Sequence, residues 1–523
     1  MRPSSRRPLA ALLAHLALLA ASALTACAGP AADGAPSAPV TIVNALLVDG
    51  SGEGARRGGL RIEGDRIAAV GPDVRPAEGD SVVDARGLTL APGFIDTHSH
   101  ADGDLRDDST ALAVVSQGIT TIVGGQDGGS PPDLATYLAG VEQSPAPVNV
   151  AMYVGHGTIR EQVLGDDFRR EATADEIARM RELVRQGMAA GALGLSTGLE
   201  YDPGIYSATG EVLALAKEAG SAGGRYISHI RSEDFAFWKA IDEIIRIGRE
   251  ARMPVQISHA KLAMRSLWGA GDSLVRVLDR ARADGVDISA DIYPYLYWQS
   301  TLTVLFPKRN FEDRGAAEFA LTQTSTPGGI ILGRYAPNAE YEGKTVADVA
   351  RMRGVDSVTA LIDLIRDAEA MKAKQRADGT AGDVESIIAT SMVEEDVERI
   401  MRWPHTNFCT DGSLVGRHPR GYGSFPRIFG HYVRDRKVMS VEEAVRRATS
   451  LAAQHTGIRD RGRLAPGAYA DLVLFDPSTI TDRATPRAPQ EPSAGVARVW
   501  VNGMLVFADG AATGRKAGRV IRR

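Results

Sequence analysis

The chain has only two cysteines in 523 residues, Cys27 and Cys409. A disulfide framework is therefore excluded, and the fold must rest on its core, which a chain this long can build. It also lacks any run or stripe of basic residues. The formal net charge is −5, so nucleic acid is not an expected partner. After the first 27 residues no segment stays apolar for 18 positions, which leaves no second candidate membrane helix. What remains is ordinary globular composition, 44% hydrophobic and 24% charged, with 56 glycines suited to many tight strand–helix turns.

The N-terminus reads as a targeting segment. Arg2, Arg6 and Arg7 precede an apolar stretch from Leu9 to Leu24, and Leu24-Thr25-Ala26-Cys27 follows. This pattern predicts a lipoprotein signal over residues 1–27, cut before a lipid-bearing Cys27. A flexible tether would then cover 28–38. The predicted location is extracytoplasmic, in the periplasm or at the cell surface, with the membrane reached through the lipid. Ala28, not an Asp, leans to the outer membrane.

Residues 39–91 and 462–523 are rich in short strand patterns separated by turns. They predict one small β-sandwich built from both chain ends. Between them, short apolar strands alternate with amphipathic helices. Candidate strands lie at 94–98, 120–126, 148–156, 193–200, 226–230, 255–260, 287–293 and 406–411. Such alternation marks an α/β fold with a buried parallel sheet, and eight units point to a TIM-like (β/α)8 barrel over 92–461. Residues 308–383 interrupt the rhythm as an insertion, a candidate lid or side wall. Ser440 to Glu443 reads as a capping box opening a helix through Ala453.

The polar residues fall at the strand ends. His98 and His100, one residue apart in PGFIDTHSH, aim at one point off the first strand. Glu200, His229, His259 and Asp411 end the fourth, fifth, sixth and eighth strands. Barrel enzymes carry their chemistry at this mouth. Four imidazoles and two carboxylates there match a one- or two-zinc hydrolase site. Lys261, Arg420 and one of Tyr293 or Tyr295 are candidates for substrate binding. A guanidinium suits a carboxylate. His156, at the end of the third strand, reads as an orienting residue, and Ser232, Glu233 and Asp234 as shaping a loop.

The motifs PGFIDTHSH, SQGITTIVGG, VGHGTIR, GALGLSTGLEYDPG, YISHIRSED, ISHAK, DIYPY, TDGSLVGRHPRGYGSFPRIFGHYVRD and GRLAPGAYADLVLFD together resemble the amidohydrolase superfamily. Within it they are similar to the N-acyl-D-amino-acid deacylases. The resemblance covers roughly residues 40 to 480. It implies His98, His100, His229 and His259 as ligands of Zn2+, one or two ions, and Asp411 as the carboxylate that moves the proton. It implies Arg420 as the arginine that binds the substrate carboxylate. The expected reaction is hydrolysis of a linear amide beside a free carboxylate, most simply an N-acyl-D-amino acid. A dipeptidase using Glu233 or Asp234 for a free amine is the alternative. A cyclic-amide hydrolase and a non-catalytic surface lipoprotein rank below it. One position departs from the family. Asp127 stands after the second strand where relatives carry a metal-binding cysteine. Either Asp127 or Glu200 takes that role, with Glu200 preferred. No oligomer signal is readable.

Overall fold

The computed structural model describes residues 38–105, 108, 110–380 and 382–523. The signal segment, Cys27 and all of the tether but Ala38 lie outside the described residues.

All eight expected strands form, most of them shorter than their apolar patterns, with Arg225–His229 of equal length but shifted by one residue. Phe94–Asp96, Ile119–Gly124 and Asn149–Met152 make one parallel sheet. Val154–Gly155, Gly194–Gly198, Arg225–His229, Val255–Ile257, Ile288–Ile292 and Thr406–Phe408 make a second. Only Tyr153 separates Asn149–Met152 from Val154–Gly155, and its N–H donates to the Gly124 carbonyl at 3.0 Å. The other two edges meet as well. The Asp411 N–H donates to the His98 carbonyl at 2.8 Å and the His100 N–H to that of Gly412 at 2.9 Å. These parallel strands fit a barrel. Most are buried throughout, as near-continuous apolar strands covered on both faces must be.

Helices alternate with the strands for legible reasons. Ala174–Ala189 opens on a full capping box, Thr173 with Glu176. Phe237–Ala251 buries Ile241, Ile244, Ile245 and Gly248 along one stripe. Ser440 accepts from the Glu443 N–H at 3.2 Å, but the Glu443 carboxylate is taken by Arg446 and Arg447. Only half of the expected box therefore exists. That helix ends at Ala448, not Ala453. Thr449 leaves helical geometry at φ −132° and ψ −86°, and Ser450–Thr456 forms a separate helix whose Ser450 hydroxyl donates to the Gly50 carbonyl.

The two chain ends share one nine-stranded sheet. Thr89–Pro92 pairs with Val40–Leu47 on one side and with Leu472–Phe475 on the other. Ile42, Leu60, Leu90, Leu472 and Trp500 form its own core cluster. The excursion between the seventh and eighth parallel strands is larger than 308–383. Its antiparallel sheet uses Tyr297–Ser300, Ile330–Tyr335 and Glu385–Thr390, so two of its three strands lie outside the expected bounds.

Candidate metal centre

Each candidate ligand sits where a strand gives way to a loop, and the loops are held by buried side chains. The Asp96 carboxylate accepts from the Thr410 N–H at 2.8 Å and the Thr410 hydroxyl at 2.5 Å. This ties the first strand to the segment carrying Asp411. Asp291, on the seventh strand, accepts from the His259 N–H, from Gln256 Nε2 at 2.6 Å and from the Cys409 thiol at 3.3 Å. Burial, then the nearby Asp291 charge, pushes that thiol's pKa well up, and Cys409 belongs to no group among the described residues that could hold an ion. Asp127, His259 and Asp411 all have left-handed backbone, at φ 51°, 34° and 51°. Asp tolerates that region better than most residues, and such conformations collect at functional sites.

These constraints bring together His98, His100, Asp127, His229, His259 and Asp411. His98 Nε2 lies 3.4 Å from Asp127 Oδ1 and 3.5 Å from Asp411 Oδ1. His100 Nε2 lies 3.4 Å from Asp127 Oδ2 and 3.2 Å from Asp411 Oδ1. His259 Nε2 is 3.5 Å from Asp127 Oδ1 and 3.0 Å from His229 Nδ1. His229 and His259 are within hydrogen-bond range, but the imidazole–carboxylate separations of 3.4–3.5 Å are long for hydrogen bonds. They suit donors sharing an ion, because atoms at ~2.0–2.1 Å in a tetrahedral shell lie about 3.4 Å apart. Both nitrogens of the buried His98 ring and Asp127 Oδ1 have no hydrogen-bond partner. Orphaned buried polar atoms are costly, so their convergence fits a cation.

The electrostatics agree. Burial opposes charge on His100 and His259, yet the carboxylates of Asp127 and Asp411 hold both at about 10. Burial likewise opposes charge on the two carboxylates. The imidazoles around Asp127, and Arg420 beside Asp411, nevertheless keep both below the ordinary range.

Glu200 is not in this cluster. Its Oε2 lies 2.9 Å from the far nitrogen of His229, Nε2, and its Oε1 accepts from the Glu233 N–H at 3.3 Å. The reason is local. The turn Gly125–Gly128, with its Gly128 N–H held by Ser196 Oγ, swings the Asp127 carboxylate inward. Glu200 instead lies on a turn whose carbonyl is fixed by Arg309 Nη2 at 2.9 Å.

Lys261 is buried beside the centre. Its ammonium donates to both oxygens of Glu233, at 2.6 and 2.8 Å, and lies 2.6 Å from His259 Nδ1. Arg420 Nη1 pairs with Asp411 Oδ2 at 2.6 Å, while its buried Nε has no partner. Tyr293 places its ring 5.1 Å from the Arg420 guanidinium, and its buried hydroxyl is also unpartnered. Tyr295 donates to Asp482 at 3.2 Å instead. His156 bonds Glu211 at 2.8 Å and does not line the cavity. The Ser232 hydroxyl donates to Asp234 at 2.5 Å, a loop-shaping contact. Sequence reasoning passed over Asp96 and Asp291, although both lie inside the quoted motifs, and Tyr201. The Tyr201 ring lies tilted against His229, with the ring centres 4.3 Å apart. The centre opens into a cavity of about 890 Å³. Lys261, Arg420, Glu200 and Tyr201 line it, together with Trp298 and Leu305 of the excursion.

Comparison with known proteins agrees with this geometry. The model of the amidohydrolase family matches residues 81–507. A D-aminoacylase from Alcaligenes xylosoxydans xylosoxydans is 36% identical, over 92% of this chain and 97% of its own length. An N-acyl-D-glutamate deacylase from the same organism is 35% identical over 92% and 96%. Among solved structures, the N-acyl-D-glutamate deacylase of Bordetella bronchiseptica was determined with zinc and a phosphonate mimic of the reaction's tetrahedral intermediate. It matches with a TM-score of 0.82 and 33% identity, over 93% of this chain and 100% of that one. An L-hydantoinase from Arthrobacter aurescens, at 18% identity and a TM-score of 0.53, shares the fold. With its strand-end imidazoles and carboxylates in this order and the family's match across most of its length, the chain belongs to the amidohydrolase family.

Proposed function

We propose that this protein hydrolyses an N-acyl-D-amino acid to a carboxylate and a D-amino acid, with zinc as its metal. The observation that carries the substrate class is Arg420. It is a buried guanidinium facing the cavity, bound to Asp411 and left with an unpartnered Nε. A cation of this kind matches a free carboxylate next to the scissile amide. The D configuration rests on the relatives, which are a D-aminoacylase and D-selective deacylases.

His98, His100, His229, His259 and Asp411 would hold one or two zinc ions. Zinc, when bound, supplies Lewis acidity that polarises an amide carbonyl and acidifies water. Asp411 takes a proton from the attacking water and delivers it to the leaving amine as the C–N bond breaks. Arg420 anchors the substrate carboxylate, with Tyr293 stacked behind it. Trp298 and Leu305 exclude water from the wall they line. Glu233 is already bound by Lys261, so it is not free to receive a substrate amine, which disfavours the dipeptidase reading.

The same reading takes the two parallel sheets as one (β/α)8 barrel and the shared sheet of the chain ends as a small β-sandwich. It also keeps the lipid anchor on Cys27 and the extracytoplasmic location, which rest on the N-terminal sequence. Mass spectrometry of the mature N-terminus tests the anchor.

The activity test is a panel of N-acetyl-D-amino acids, their L-enantiomers and dipeptides against zinc-loaded protein and Asp411→Asn. D-selective release of acetate, reduced about 10²–10⁴-fold in the variant, is the expected result. Dipeptide cleavage without acetate release would move the assignment to a peptidase.

A further inference from the structure

We infer that Asp127 is the bridging ligand of a two-ion centre built without thiolate, and that the centre therefore accepts hard divalent ions such as Mn2+ alongside zinc. The inference rests on the metal reading above but not on the identity of the substrate.

Among the described residues, Asp127 is the carboxylate within 3.5 Å of His98, His100 and His259 together. Its Oδ1 lies 3.4 Å from His98 Nε2 and 3.5 Å from His259 Nε2, and its Oδ2 lies 3.4 Å from His100 Nε2. One group that could hold an ion is His98, Asp127, His259 and Asp411, and a second, sharing His259, contains His229 and Glu233. Asp411 reaches His98 and His100 at 3.5 and 3.2 Å and lies farther from His259, within 4.8 Å. Two further observations point to a ligand rather than to a local hydrogen bond. Asp127 Oδ1 is buried with no hydrogen-bond partner, as are both ring nitrogens of the neighbouring His98. And Asp127 is held at φ 51°, a conformation that turns its carboxylate into the cavity. The competing carboxylates already have partners. Glu200 faces the outer nitrogen of His229, and Glu233, although 3.1 Å from His259 Nδ1 and grouped with His229 and His259, spends both oxygens on Lys261.

The donor chemistry follows. Every converging atom is an imidazole nitrogen or a carboxylate oxygen. Cys409, the cysteine among the described residues, donates to Asp291 from a buried position and belongs to no group that could hold an ion. Thiolates select soft and borderline ions, whereas carboxylate oxygen suits harder ones such as Mn2+. A carboxylate at this bridging position, rather than a sulfur, narrows the gap between zinc and manganese.

The test uses the full chain, stripped and reloaded, and reads metal rather than turnover. Elemental analysis of the wild type should find two ions per chain, falling to one or to weakened binding in Asp127→Asn, while Glu200→Gln keeps both. The cobalt-loaded wild type should show visible d–d bands and no thiolate-to-cobalt charge transfer. Asp127→Cys should add a near-ultraviolet charge-transfer band and raise the zinc-to-manganese affinity ratio at least about tenfold. That gained band cannot come from a merely structural role. Cobalt bound to Asp127→Cys without the band overturns the inference. Unchanged stoichiometry and affinity in Asp127→Asn does so too, and that variant decides the matter should Asp127→Cys fail to load. Because no substrate is used, none of these outcomes depends on the deacylase reading.

Discussion

The protein contains two buried clusters of histidine and carboxylate, and they are built to opposite ends. In the first, His156 Nε2 meets Glu211 at 2.8 Å, and Glu211 is also bound by Arg160. Arg160 in turn reaches the carbonyls of Phe168 and Arg170. Burial works against the Glu211 charge, but His156 and Arg160 outweigh it and lower its pKa. The charges cancel inside, and what stays unpaired is one atom on each cation-side partner: Arg160 Nε, and His156 Nδ1, which in the matching neutral tautomer only accepts. In the second cluster, His98 has no partner at either nitrogen, and the distances to Asp127 and Asp411 are too long for good hydrogen bonds. A closed network is a strut. An open one, equally buried, is a receptacle. Neither burial nor residue type separates the two; hydrogen-bond satisfaction does.

Exchanging alanine at the two histidines should break this comparison most visibly. His98→Ala is expected to lose bound zinc and at least about 10³-fold in kcat, the several kcal/mol of charge stabilisation that a bound ion supplies. The metal-free variant should be no less stable than metal-free wild type, since an unsatisfied imidazole is gone. His156→Ala should keep its zinc and lose roughly 1–3 kcal/mol of stability, because Glu211 is left short of a buried donor. Metal content and denaturant unfolding of the stripped proteins read both. Zinc lost from His156→Ala, or kept by His98→Ala, would reverse the two roles.

The same contrast explains what the sequence could and could not reveal. Strand-end placement of His98, His229, His259 and Asp411 follows from apolar runs stopping at polar residues, a local pattern. The alternation of strands with helices, and the joining of both chain ends in one sheet, are legible for the same reason. The choice between Asp127 and Glu200 was not. It depends on whether a loop backbone enters the left-handed region, and GQDGG and GLEYDPG are both plausible turns. Nor was the pairing of Lys261 with Glu233. Those residues lie 28 apart on neighbouring strand ends, and each alone looks available to substrate. The bounds of the excursion were missed because two strands of its sheet, Tyr297–Ser300 and Glu385–Thr390, sit outside its polar stretch.

The two buried arginines sharpen the comparison at the level of substrate. Each has a buried Nε without a partner, but Arg160 turns its terminal nitrogens to Glu211 and to the carbonyls of Phe168 and Arg170 away from the cavity, whereas Arg420 lines it. Arg420→Ala should lower kcat/KM for the free-acid substrate about 10²–10³-fold, roughly 3–4 kcal/mol. For the matching primary amide, which offers no carboxylate, the loss should stay within about tenfold. Equal losses on acid and amide would mean that Arg420 acts only through Asp411.

Asp234, at the cavity wall, gives the smallest effect and the cleanest sign. Glu211 is buried with cations and its pKa falls; Asp234 is buried beside Glu200 and Glu233, and its pKa rises. Burial first, then the Glu200 charge, lifts it from 3.8 to about 6 despite the Ser232 hydrogen bond. The folded protein then holds a proton that the unfolded chain has released. Stability from this group is present below pH ~4 and declines as pH rises toward about 6, after which the charge is a constant burden. Asp234→Asn keeps an acceptor for Ser232 and removes the charge. It should raise the melting temperature by a few degrees at pH 8 and by distinctly less at pH 4.5, with the zinc content unchanged. An equal shift at both pH values would mean that the gain comes from packing and not from the buried charge.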